Sequence, residues 1–396
     1  MTVFLTIFVV FCLLYAITPQ KYIKWLFLAT TIALSVMAFN CVPYETDDLT
    51  NYYYQLEVLR DGDWDTFQTM LNDNDNNWGS LPTCGYYFYF VSKLGKNGYL
   101  PAITIFLAYG AIFYVLYKAS VRFKVNKWYL FLACAFFMTT YWFYDICSGI
   151  RNGLAFTLFA ALVYQDVVEK KYRPLCYIGY ALCIGLHSST IVFAVIRIAL
   201  EITKRHGSKL ASWVMIFSAS IGGNVLLWIG EHTDNTYLQL LSEKAEKNVD
   251  RSIGWDAPTN IIVNVVVSIV IAIFSVYLFR YIRASKMNAE FDVFGKFYTI
   301  LMFFTFGCFD SGLIFIRMVR WILPFAGSTI FMLGMQACRD KQNQVRSTQS
   351  VNSVIKNRDG VLAANELIIT LLFIAFTGVH LWYTCTGSSL IWLHFK

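Results

Sequence analysis

Apolar runs of membrane-spanning length recur from one end of this chain to the other, and no other feature constrains its fold as tightly. Backbone in lipid must satisfy its own hydrogen bonds, which leaves helices or closed barrels. Runs of about 20 apolar residues fit the helical solution. The composition agrees, at 57% hydrophobic and 14% charged residues. No stretch reads as a separate soluble domain. We therefore expect an all-α polytopic membrane protein, residues 1–396 forming a single domain, with about twelve spans. They are 2–18, 22–40, 99–118, 127–144, 149–168, 174–187, 189–203, 209–230, 258–283, 293–309, 312–336 and 363–386. No basic residue precedes Thr2–Thr18, so that run reads as the first span and not as a cleaved signal.

Lysine and arginine set the orientation. Basic clusters fall at Lys21 and Lys24, Lys118–Lys127, Lys170–Arg173, Lys204–Lys209 and Arg280–Lys286, and in a loop at 337–362. All lie on one side of the span list, which is then the cytoplasm. The net charge of +7 is accounted for by these loops and implies no nucleic acid. The opposite side carries an acidic first loop at 41–98 and a second at 231–257. The first loop holds an Asn/Asp-rich run from Asn72 to Asn77 and an aromatic segment, Tyr86–Phe90, that suits the membrane interface. Ten scattered cysteines include no CxxC pair and no metal-ligand spacing. Whether Cys41 and Cys84, which flank the first loop, pair depends on that loop facing an oxidising space.

Against this apolar background three arginines stand out: Arg151, Arg317 and Arg320. A charge inside a span is costly and rarely lacks a job or a partner. Arg317 and Arg320, three apart, share a helix face, and guanidinium forks suit phosphate oxygens. On the expected topology they gather at the outer face of the membrane with His187, Asp47, Asp48, Asp145 and Asp310. Each has a plainer reading. Arg151 is close enough to the interface to snorkel, and Asp145 or Asp310 could pair with Arg317 and Arg320. His187 could cap a helix, as could Asp47 or Asp48. Arg197, with Glu201 four residues on, reads as a structural pair.

The order of these elements resembles the EpsG/Wzy-type polysaccharide polymerases. The resemblance rests on Asp47-Asp-Leu-Thr-Asn-Tyr52, Gly149-Ile-Arg-Asn-Gly-Leu-Ala155, Gly185-Leu-His-Ser-Ser-Thr190 and the late span with Arg317 and Arg320. It implies a GT-C-like glycosyltransferase in the bacterial cytoplasmic membrane with its active site facing outward. Its substrates would be polyprenyl-diphosphate-linked oligosaccharides, as donor and as acceptor, and a chain-length regulator is a possible partner. The residues fit that chemistry. Arg151, Arg317 and Arg320 would hold the leaving diphosphate, with Asp145 and Asp310 as secondary candidates. Asp47, Asp48 or His187 would take the proton from the attacking hydroxyl, His187 being favoured because imidazole titrates near neutrality. One base implies inversion at the anomeric carbon, and we expect no metal or other cofactor. Rival readings are a single-sugar GT-C transferase, which would use a metal, a polysaccharide ligase, and a lipid-linked oligosaccharide flippase. A transporter would spread its charges along a midplane pathway between related halves, which this chain does not do.

Overall fold

The computed structural model describes residues 2–45, 47–72, 78–140, 143–203, 258–285, 287–308, 312–325, 329–348 and 353–386, together with 228, 232, 233, 394 and 395. The chain is overwhelmingly helical. After α1 (Thr2–Ile17) a 3-10 turn leads into α2 (Ile23–Phe39), which lies along α6 (Tyr99–Arg122). α7 (Lys127–Thr140) and a short α8 (Phe143–Ser148) lead to α9 (Ile150–Tyr164), which also packs on α6. Then follow α10 (Arg173–Leu186) and α11 (Ile191–Thr203). Beyond the undescribed residues come α12 (Pro258–Arg283), α13 (Asn288–Gly307), α14 (Gly312–Phe325), α15 (Phe331–Thr348) and α16 (Ser353–Thr386).

The core is rich in aromatic rings. Phe27 and Phe113 stack with centroids 4.8 Å apart, joining α2 to α6, and Tyr109 meets Phe137 edge-on at 5.2 Å. Such pairs add about 0.5–1.5 kcal/mol beyond the area that they bury. Among the described residues four helices are long and apolar enough to cross a membrane: Gln20–Phe39, Tyr99–Arg122, Val265–Arg283 and Ala364–Trp382. Val3–Ile17 and Arg173–Leu186 are apolar but shorter. The expected span at 209–230 lies outside the described residues.

Of the expected span at 312–336, α14 runs to Phe325 with Pro324, which has no N–H to give, inside it; residues 326–328 lie outside the described ones, and α15 begins at Phe331. The basic segment 337–362, expected as a loop, is helical over its described residues. α15 runs to Thr348 and α16 starts at Ser353, because Arg, Lys and Gln are good helix formers whatever side of a membrane they mark. Gln336 helps by donating to Asp340 Oδ1 at 2.8 Å one turn on, while its own oxygen accepts from the backbone N–H of Asn126 at 2.8 Å. Cys41 and Cys84, whose pairing the sequence leaves open, are both free thiols. Cys41 shares a hydrogen bond with the free Cys147 thiol, and Cys84 lies near Tyr52 and Arg151.

The segment 41–98 is a folded cap. A two-residue strand β1 (Cys41–Val42) pairs antiparallel with β2 (His394–Phe395). It is followed by α3 (Asp48–Asp61), α4 (Trp64–Asn72) and α5 (Pro82–Ser92). Leu49, Tyr52, Leu56 and Leu59 recur at helical spacing and bury one face of α3. The Tyr86–Phe90 segment lies within α5 and mostly packs inside the cap, Tyr89 on Phe67 at 4.6 Å and Phe88 edge-on to Trp78 at 5.7 Å, although Phe90 is exposed. Lys93 fastens the end of α3, its Nζ donating to the carbonyls of Leu59 at 2.8 Å and Gly62 at 2.9 Å.

Candidate active site

Arg151 is the second residue of α9, in the turn where unpaired backbone N–H groups concentrate positive potential. Its motif supplies two close-packed glycines. A Cβ on Gly153 would lie 2.8 Å from Ile146 Cα, so glycine there lets α8 and α9 fold tightly against each other. The guanidinium is half-buried, yet no carboxylate bonds to it among the described residues. Its Nε donates to the Tyr52 hydroxyl at 3.0 Å, and its central carbon lies 5.6 Å from the Tyr52 ring centroid. The terminal Nη1 and Nη2 groups have no hydrogen-bond partner among the described residues. Burial pushes the Tyr52 phenol up to about 12, against the pull of Arg151, so it stays a neutral hydroxyl around pH 7.

Asp48, one turn before Tyr52 on α3, is close enough to act on both Tyr52 and Arg151 electrostatically. It is exposed, and its carboxylate bonds to no described residue. Asp47, directly before it, differs. Its Oδ2 accepts from the Tyr44 N–H at 3.0 Å and its Oδ1 from the Tyr144 hydroxyl at 2.5 Å. One oxygen thus closes a turn within the cap, and the other joins the cap to α8. Asp145 sits beside Tyr144, and its backbone carbonyl accepts from Gly149 N at 3.1 Å, closing the turn into α9.

His187 ends α10. Its Nδ1 accepts from the Ser189 backbone N–H at 3.3 Å, which leaves the proton of a neutral ring on Nε2. In that tautomer Nε2 donates. The ring meets Phe156 of α9 edge-on at 5.5 Å. Phe156 is five residues after Arg151, about 7–8 Å along the helix axis. Gly185 brings this end of α10 against the cap, since a Cβ there would lie 2.3 Å from Thr83 Oγ1. The fold thus draws Arg151, Tyr52, Asp48 and Cys84 together and sets His187 beside the same helix.

Arg317 is half-buried on α14, which packs against α9. The Arg320 side chain and all of Asp310 lie outside the described residues. Sequence reasoning did not find Tyr52 as the anchor of Arg151, although its place one helical turn after Asp48 was a readable signal. It also missed Asp166. That carboxylate is fully buried, accepts from Arg197 Nε at 2.5 Å and from the Tyr180 hydroxyl at 3.2 Å, and lies 3.3 Å from Arg173 Nε. Glu201 holds Arg197 Nη1 at 2.8 Å, as the four-residue spacing suggested.

Compared with known proteins, residues 24–346 of the chain match one family model, that of the EpsG family. No curated protein and no solved structure matches.

Proposed function

The chain belongs to the EpsG family, and from that premise we propose that it is a polysaccharide polymerase acting on polyprenyl-diphosphate-linked oligosaccharides. The observation that carries this reading is the Arg151 guanidinium, held by a phenol and an aromatic face while its terminal NH2 groups stay uncommitted among the described residues. Such a group suits a ligand's phosphate oxygens. Arg317, on the adjoining helix, and Arg320 would complete the clamp, with Asp145 and Asp310 in supporting places. The reaction faces outward from a bacterial cytoplasmic membrane.

In the reaction, a sugar hydroxyl of one lipid-linked unit attacks the anomeric carbon of the chain on a second lipid. The new C–O bond forms as the bond to the diphosphate breaks, and the electron pair leaves with the diphosphate. The arginines stabilise that growing charge, an effect worth about 3 kcal/mol per preorganised donor. The hydroxyl proton goes to a base. Of the three candidates, Asp47 has both oxygens occupied and His187 presents a donor, so we assign the base to Asp48. One carboxylate and a direct displacement give inversion, without a metal. The GT-C architecture belongs to the same proposal, as does a partner that regulates chain length.

Reconstituted protein given a lipid-linked repeat unit tests the reading. A ladder of lengthening products that survives a metal chelator is the expected result. Addition of a single sugar, or transfer of finished polymer to another acceptor without elongation, would overturn it.

A further inference from the structure

α3 has a second working face. Tyr53, Glu57 and Arg60 follow one another at i, i+4 and i+7, so they share a side of the helix about 100° round from Tyr52. Against that side opens a cavity of about 520 Å³ whose walls include Asn40, Tyr53, Arg60, Lys96, Asn97 and Gly98. Its shape depends on Gly98, where a Cβ would come within 2.2 Å of the Phe39 carbonyl oxygen.

The lining is mixed, with Phe39, Val42 and Pro43 beside the polar groups, and its charged side chains are cationic. Arg60 and Lys96 both contribute, and no described residue in the wall is a carboxylate. Arg60 is not neutralised directly. Its Nη2 donates to Asn97 Oδ1, and Asn97 passes the contact on by donating to Glu57 Oε1 at 2.8 Å. An amide therefore links the guanidinium to Glu57. Lys96 is exposed at the rim. The Tyr53 hydroxyl donates to the Cys41 carbonyl at 3.2 Å, which holds that ring in the wall.

These groups fit one chemistry. Amides and an aromatic side chain suit the hydroxyls and the apolar faces of sugar rings. A guanidinium and an ammonium in one wall suit a carboxylate or phosphate substituent. Tyr52 and Arg60 are eight residues apart, about 12 Å along the helix, so one helix carries Arg151's anchor on one face and the cavity on another, with Arg60 at the cavity's far end from Tyr52. We propose that this cavity binds the saccharide part of the substrate, away from the reacting bond, and that it selects chains bearing an anionic substituent. The proposal rests on the polymerase reading for its substrate and on the cavity for its selectivity.

Purified full-length protein, titrated with a lipid-free acidic oligosaccharide and with the same oligosaccharide after carboxyl reduction, tests it by calorimetry. The acidic form should bind about tenfold or more tightly than the reduced form, the change expected for one hydrogen bond to a charged group. Arg60→Gln should erase that preference. Lys96→Gln should weaken it and, lying at an exposed rim, leaves folding intact as a control. Equal binding of both forms, or an acid preference that survives in both variants, overturns the proposal. So does displacement of the acidic saccharide by vesicles of anionic phospholipid, which would make the cavity a headgroup site. Assembly in the reconstituted system separates the two claims. If Arg151→Ala still polymerises while Arg60→Gln loses acid binding, the polymerase assignment of Arg151 fails and the cavity stands.

Discussion

Two arginines of this chain are sunk into its helices and treated in opposite ways. Arg197 is fully buried and held by Asp166 and Glu201 at 2.5 and 2.8 Å, with Tyr180 and Arg173 completing the group around Asp166. Arg151 is held by a phenol and the face of its ring, with an exposed carboxylate nearby but not bonded. A buried charge set against two carboxylates is structural: its field is largely cancelled where it stands, even though Arg197 Nη2 makes no hydrogen bond among the described residues. A charge fixed by neutral groups keeps its field and its donors for something else. The contrast teaches that partner chemistry, more than depth, separates a working arginine from a bracing one.

The comparison is most exposed at Arg197. Arg197→Ala strands Asp166 in the interior, and the expected cost is about 3–5 kcal/mol of stability, seen as a lower melting temperature and less protein in the membrane. The double change Asp166→Leu with Arg197→Met should recover most of that loss. Full-length Arg197→Ala protein of normal stability but without activity would break the contrast.

Arg151→Ala should do the reverse. Polymer formation should fall about 10²–10³-fold while melting temperature and protein level change little. Next comes Asp48→Asn, with an expected loss of about 10²-fold in rate. Asp47→Asn, by comparison, loosens the Tyr44 and Tyr144 contacts and costs stability before it costs rate. If Asp47→Asn is dead and well folded while Asp48→Asn is active, the assignment of the base is reversed. The smallest effect belongs to Tyr52→Phe, which keeps the ring and removes the hydroxyl from Arg151 Nε. A decrease in activity of roughly three- to tenfold is expected, read as weaker substrate binding in steady-state assays.

The unusual charges were readable because they interrupt apolar runs. Arg151 and the Arg197–Glu201 pair both emerged that way, as did the membrane character of the chain. What holds each arginine was not readable. Tyr52 reaches Arg151 across 99 residues and Asp166 reaches Arg197 across 31, and such contacts are made by packing, not by local spacing. The base could not be chosen from residue type alone, since the choice turns on which oxygens and nitrogens the backbone already occupies. Charge marked 337–362 as one side of a membrane, but said nothing of its being helical. The cap was partly legible in the periodic leucines of α3, whereas its cavity arises only where Arg60 and Asn97 meet.

The most direct test is to titrate a sugar-free polyprenyl diphosphate into purified wild-type protein, Arg151→Ala and the Asp166→Leu, Arg197→Met double variant. The account expects the double variant to bind like wild type, and Arg151→Ala to bind at least tenfold more weakly at an unchanged melting temperature. Unchanged diphosphate affinity in well-folded Arg151→Ala would contradict it.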